Sequence, residues 1–244
     1  MRRTGRVNLI LFEPTEIATP LPRRDPRAVH VIEVLRRQIG DTFDVGLIDG
    51  PRGKATLLGL DADTLTLGFA WGPPPAPLDP VTLIVGLPRP QTARDILRDA
   101  TTLGVTALHF VRTEKGAPGY AQSTLWSSGE WRRRAIAGAE QAFDTRLPAV
   151  SWERSVAEQL AALPLGGTQL ALDNYEPGSA LGSITLADAT LTLAFGPERG
   201  WSAAEREMLR ASGFVFVHLG ARVLRLETAI VAALAIVRAK RGAM

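Results

Sequence analysis

Residues 191–229 read LTLAFGPERGWSAAEREMLRASGFVFVHLGARVLRLETA. It holds two strand-to-helix passages in succession. Leu191–Phe195 is an apolar run of strand length, followed by a Gly/Pro loop from Gly196 to Trp201 and a helix from Ser202 to Ala211. Ser202 and Glu205 have the spacing of a capping box, and Gly213 lies just beyond the helix end. Phe214–Leu219 is the second strand, a loop carrying Arg222 and Arg225 follows, and Glu227–Lys240 is the final helix. Strands that are apolar throughout are covered on both faces, so the expected sheet is parallel and flanked by helices. Ligands of such sheets bind beyond the carboxyl ends of the strands, which is where both loops fall. Taken singly, the first loop also fits an ordinary turn and the second a surface loop with solvated arginines.

The same alternation reaches back to residue 81. Val81–Leu87, Thr106–Val111 and Leu170–Asp173 read as strands, while Thr92–Leu103, closed by Gly104, and Ser128–Phe143 read as helices. Upstream, Gly72–Pro80 is GPPPAPLDP, with five prolines in nine residues. Such a run continues neither a helix nor a central strand, and it reads as a stiff linker. Before it come short strands at Val7–Phe12, Thr42–Ile48, Lys54–Leu60 and Thr64–Trp71, separated by turn signals such as Asp49-Gly50-Pro51. One helix, Asp25–Ile39 with Gly40 as its stop, interrupts them. The expectation is a small β-barrel over 1–72, a linker over 73–80 and an α/β domain over 81–244.

Of the 244 residues 45% are hydrophobic and 22% charged, ordinary globular usage that excludes wholesale disorder. Cysteine is absent, which removes disulfide scaffolds, thiolate zinc sites and cysteine nucleophiles, and no metal is expected. The apolar run Ala229–Val237 falls well short of the roughly 20 residues a membrane span needs. VNLILF after MRRTGR is too short for a signal segment, so a cytoplasmic protein with no membrane partner is expected. Net charge is only +3, but 25 of the 28 basic residues are Arg. Arg suits bidentate phosphate contacts, although a GC-rich genome produces the same bias. Residues 1–37 carry a balance of +4 and residues 38–80 one of −4, so one part of the first segment is basic. Arg2, Arg3, Arg6, Arg23, Arg24, Arg27 and Arg36 are the candidate RNA contacts there. Arg132-Arg133-Arg134 is another candidate, against the usual reading of a charge run as a solvated helix face.

Together, GPERGWSAAE and HLGARVLRLETA resemble the paired signature GPEGG(F/W)S..E and LG.R(I/V)LR.ETA of the RsmE-type 16S ribosomal RNA uridine-N3 methyltransferases, of the SPOUT class. The resemblance runs along most of the chain. His30, Val34-Leu35-Arg36 and Gly40-Asp41 resemble the family's H…VLR…GD segment. Ala100–Val105 resembles ATELGV, and Trp131, Glu140-Gln141 and Arg146-Leu147-Pro148 resemble W…EQ..R.P. The chain departs at Arg199, where the family has Gly, at Thr102 for Glu, at Asp99 for Lys, and at Pro88-Arg89-Pro90 for PKG.

The resemblance implies an α/β fold with a trefoil-knotted C-terminal SPOUT domain behind a small PUA-like β-barrel, the knot involving Leu191–Gly200 and Phe214–Glu227. It implies S-adenosylmethionine in a pocket made by Leu172, Gly196, Pro197, Gly200, His218, Leu219, Gly220 and Leu224. There is no GxGxxG to support a Rossmann site instead. It further implies 16S ribosomal RNA of the small subunit as substrate, a role in ribosome biogenesis, and a homodimer. For methyl transfer to a uracil imide nitrogen, a guanidinium beside the base would stabilise the anion left when the proton departs. Arg225 is the first candidate and Arg222, otherwise an RNA contact, the second; Glu227 either orients Arg225 or favours its helix N-terminus. No residue stands out as general base: His218 could serve, but a lone His ending an apolar strand is more often structural, and His30 and His109 read the same way. Two other functions stay open: methylation elsewhere on RNA, such as a ribose 2′-hydroxyl, and RNA binding without catalysis if Arg199 blocks the cofactor.

Overall fold

A computed structural model describes residues 9–164, 166–176, 178–186 and 189–242. Packing divides the chain into two compact units, Met1–Pro77 with Ala139–Leu147, and Leu78–Gly138 with Pro148–Met244. Arg2, Arg3, Arg6 and the start of the first expected strand lie outside the described residues.

The first unit holds β1 (Ile10–Phe12), β2 (Leu21–Pro22), α1 (Pro26–Val29), which runs on into a π-helical turn (His30–Val34), β3 (Thr42–Leu47), β4 (Arg52–Leu60) and β5 (Thr64–Trp71). They form a curled, half-barrel sheet of five strands in the order β1-β3-β4-β5-β2, antiparallel except for β1 with β3. Its core is Phe12, Phe43, Val45, Leu57 and Leu65, closed by Ala28 and Val31 of the helix. Asp25 caps that helix by accepting from the Arg27 N–H, and Pro26 opens it. The helix is shorter than the Asp25–Ile39 expected. Arg36 takes a left-handed φ of 53°. Beyond it the Gly40 N–H donates to the Leu57 carbonyl (2.8 Å) and the Gln38 N–H to Asp41 (2.8 Å), so this backbone is committed to β4 and a turn.

Residues 139–147 return to this unit on polar contacts. The Leu11 N–H donates to Glu140 (3.0 Å), the Thr145 hydroxyl to the Gly50 carbonyl (2.6 Å), and the Arg146 guanidinium to the carbonyls of Ala76 (3.1 Å) and Pro75 (3.2 Å). Burial pushes the Glu140 carboxyl above its ordinary range.

The second unit contains β6 (Asp79–Gly86), α2 (Pro90–Thr102), β7 (Val105–Val111), α3 (Thr124–Ser127), the start of α4 (Glu130–Ala142), β8 (Ala149–Ser151), α5 (Val156–Ala161), β9 (Thr168–Leu172), β10 (Ser179–Ala180), β11 (Leu191–Phe195), α6 (Ala203–Ala211), β12 (Val215–His218) and α7 (Leu226–Lys240). The sheet order is β10-β12-β9-β11-β6-β7-β8, with every described pairing parallel. The apolar runs have a direct cause: successive residues feed different cores. Leu83, Val85, Leu193 and Phe195 pack with Ile96, Leu97, Ile230 and Leu234 of α2 and α7. Ile84 and Ala194 pack on the other face with Trp201, Leu209 and Phe216. The helix expected from Ser128 starts at Glu130, because Gly129 takes a φ of +68° and separates it from α3.

One crossing positions the site. After β9 the chain lays β11 between β9 and β6, then places β12 on β9's other side. Phe195 thus stands between Val85 and Leu172, and Val217 beside Leu172. The carboxyl ends of β6, β9, β11 and β12 finish level, and the loops they feed meet. Among the described residues no helix is long and apolar enough to cross a membrane.

Candidate functional site

Beyond those strand ends lies an open cleft of about 260 Å³. Leu172, Gly196, Pro197, Gly200, His218, Leu219 and Leu224 line it, together with Phe195, Trp201 and Leu226. Arg222 lines it as well; Gly220, Arg225 and Glu227 do not. Arg225 is an exposed residue at the N-cap of α7, and Glu227 lies half-buried in that helix's first turn. The two segments singled out in the sequence are brought together, and the arginine facing the cleft is Arg222.

The loop after β11 is held at several points. Its turn is closed by the Gly200 N–H donating to the Pro197 carbonyl (2.7 Å), with Gly200 at a φ of +67°. A Cβ on Gly196 would come within 2.8 Å of the Trp201 backbone nitrogen, and one on Gly86 within 2.4 Å of Pro197 Cδ. Glycine at both places lets β6 and the loop backbone approach closely. Trp201 is fully buried beneath the cleft. Ser202 and Glu205 form the expected capping box (2.8 and 3.1 Å), and buried Glu205 uses its other oxygen to accept the Glu114 N–H (2.8 Å). The Lys115 ammonium donates to the carbonyls of Trp201 (2.8 Å) and Arg199 (3.4 Å). Arg89 pairs with Glu198 at 3.4 Å in an exposed contact of small energetic weight.

Arg199, the departure from the signature, is exposed, keeps a negative φ and does not line the cleft. The reading in which Arg199 blocks the cofactor therefore has no contact with the cleft to rest on.

The loop after β9 is anchored by a buried ion pair that the sequence did not disclose. Asp173 accepts from Arg206 of α6 at 2.7 Å, and both side chains are almost wholly buried. The same carboxylate accepts the backbone N–H groups of Tyr175 (2.6 Å) and Glu176 (3.1 Å), which saturates it. Asp173 was the last residue of an expected strand, and its position at a strand's carboxyl end was the available signal.

His218 Nδ1 accepts the Gly220 N–H at 3.0 Å. This bond engages Nδ1 with the loop backbone and leaves Nε2 as the ring nitrogen free of that contact. His109 Nδ1 bonds the Ser151 hydroxyl (2.8 Å), and burial pushes its pKa down.

Of the arginines expected to meet RNA, Arg24 and Arg36 are exposed, and Arg23 donates to the Asp61 carbonyl (2.8 Å) on the surface. Arg27 is committed internally. It bonds Glu16 (2.7 Å), Asp25 (2.8 Å) and the Leu11 carbonyl (3.3 Å) and lies 4.8 Å from the centre of the Phe12 ring. These contacts hold the Glu16 and Asp25 carboxyls below their ordinary range and raise the guanidinium's pKa. In the second unit Arg134 shares Glu130 with Arg94 (both 2.8 Å), and the two guanidinium groups hold that carboxyl down at about 2.

Residues 74–238 match the family model described as an RNA methyltransferase domain. The chain is 35% identical to ribosomal RNA small subunit methyltransferase E of Treponema pallidum, over 97% of this chain and 92% of that protein. It is 34% identical to the protein of the same name from Synechocystis sp., over 94% of this chain and 77% of that one. Among solved structures, ribosomal RNA small subunit methyltransferase E of Neisseria gonorrhoeae bound to S-adenosylmethionine superposes with a TM-score of 0.75 at 25% identity, covering 95% of this chain and 97% of that one.

Proposed function

The chain belongs to the ribosomal RNA small subunit methyltransferase E family, enzymes that use S-adenosylmethionine, and from that premise we propose that it methylates N3 of a uridine in the decoding region of 16S ribosomal RNA. The observation that carries this reading is the meeting of residues 196–201 and 218–224 in one cleft that also presents Arg222.

The residues present fit the cofactor. Leu172, Phe195, Leu219 and Leu224 are apolar walls, and the glycines at 196 and 200 leave the loop backbone uncovered by side chains of their own. Gly196, Pro197 and Gly200 would hold it from one side and His218, Leu219 and Leu224 from the other, while Gly220 acts by fixing the His218 ring. S-adenosylmethionine, when bound, supplies the methyl group from its sulfonium centre. The protein's part is alignment and exclusion of water, since positive charge disperses during transfer. His218 lines the cleft with its Nδ1 engaged by the Gly220 N–H, which fixes the orientation of the ring.

The imide nitrogen of uracil becomes a good nucleophile once deprotonated, and a guanidinium next to the base stabilises that anion through its carbonyl oxygens. Arg222 takes this role because it faces the cleft, in place of Arg225 at the helix cap. At saturating cofactor, Arg222→Ala lowers kcat by about 10²–10³-fold, as loss of one oxyanion donor does elsewhere. Near-normal turnover by this variant, with the loss appearing in Arg225→Ala, returns the role to Arg225.

RNA is gripped through exposed arginines such as Arg24 and Arg36, so binding weakens steeply with salt. The partly exposed Ala229, Ala232 and Ala235 of α7, next to exposed Val231, support a homodimer formed through close helix packing. Ribosomal RNA as substrate supports a cytoplasmic setting. The non-catalytic reading loses its support, because Arg199 lies off the cleft.

A further inference from the structure

Tyr175 is the unusual residue at the rim of this cleft. It lines the cleft, yet 72% of its surface is exposed. Its backbone is pinned by the Asp173 carboxylate, which accepts its N–H at 2.6 Å. That carboxylate is itself held by buried Arg206. The ring lies against Gly200, where an added Cβ would approach Cε2 to 3.1 Å. Two cations stand near it, Arg206 at 5.3 Å and Lys115 at 5.8 Å from the ring centre. A large aromatic side chain on a rigid support and open to solvent is a preformed stacking surface.

We propose that Tyr175 is a substrate-contact residue that stacks on the pyrimidine base presented for methylation. The inference rests on the function proposed above and names the residue that positions its substrate. The choice of an incoming base over the cofactor follows from exposure. Leu172 and Phe195 of the cleft are buried, as the walls of a small-molecule pocket are, whereas Tyr175 is open to solvent, as a surface that meets a macromolecule must be. An enzyme acting on a base edge must take that base out of its stack, and an aromatic face replaces part of the stacking lost. Arg206 is neutralised by Asp173 and serves to hold the ring's support, while the Lys115 ammonium, 5.8 Å from the ring centre, adds positive charge beside it.

The test compares wild type, Tyr175→Phe, Tyr175→Leu and Tyr175→Ala in methyl transfer to small ribosomal subunits lacking the modification, with S-adenosylmethionine affinity measured separately by calorimetry. Phe keeps the face and is expected to keep the wild-type KM for the subunit. Leu keeps apolar bulk over Gly200 without a face and, like Ala, is expected to raise that KM about 10-fold or more. Cofactor affinity stays within about 2-fold in all three variants, and unchanged melting temperatures exclude misfolding as the cause. An unchanged KM in the Leu and Ala variants overturns the inference. So does a parallel loss of cofactor affinity, which makes Tyr175 a wall of the cofactor site. Absence of RNA methylation by the wild type is a separate result and removes the proposed function itself.

Discussion

Arg199 stands where the resembled signature has glycine, and its surroundings explain why the substitution is tolerated. The left-handed conformation that favours glycine belongs to Gly200, at a φ of +67°, and not to Arg199. The side chain is exposed, and its carbonyl accepts from Lys115. Arg199→Gly is therefore expected to leave S-adenosylmethionine affinity within about 2-fold by calorimetry, and to lower stability by about 0.5–1 kcal/mol through the looser unfolded chain. A large gain in affinity would mean that Arg199 does obstruct the site. Other departures also have local reasons. The Thr102 hydroxyl donates to the Gly138 carbonyl (3.0 Å), tying α2 to α4, and Asp99 pairs with Arg98 (2.7 Å). Asp173 shows what a single residue conceals: its partner Arg206 is 33 positions away, and no local pattern joins them.

Among elements, the strands were legible because both faces of the sheet are covered. Leu83, Ile84 and Val85 alternate between two cores, so every position is apolar and the run reads as a strand without periodicity. Helix α6 was legible from its capping box and α7 from its length. The three-residue strand β8 and the two-residue strands β2 and β10 were not, since so few residues carry no pattern. The expected helix beyond Val34 failed because tertiary bonds from Gly40 and Leu57 overrode the local preference. The contact between β6 and the β11 loop yields a direct test. Gly86→Ala puts a methyl group 2.4 Å from Pro197 Cδ and 2.6 Å from its nitrogen, so the loop must move. The expected cost is about 1–3 kcal/mol of stability, read by urea unfolding, with cofactor affinity falling 10-fold or more. Gly119→Ala, which meets nothing within 4 Å, is the control and should match wild type in both measurements.

At the scale of the whole molecule, the sequence announces the two loops but not the crossing that joins them. Inserting β11 between β9 and β6 is a non-local pairing, and the return of residues 139–147 to the first unit rests on isolated polar contacts from Glu140, Thr145 and Arg146. The family signature supplied that long-range information, and the cleft it implied is lined by seven of the eight residues named for the cofactor; the eighth, Gly220, stands behind His218. What the cleft does to RNA is decided most directly by incubating the protein with small ribosomal subunits lacking the modification and S-adenosylmethionine carrying a labelled methyl group, then digesting the RNA to nucleosides for mass spectrometry. Label is expected in 3-methyluridine from 16S ribosomal RNA. Label on a ribose 2′-oxygen, or no label in RNA while the cofactor binds, would contradict the proposed function.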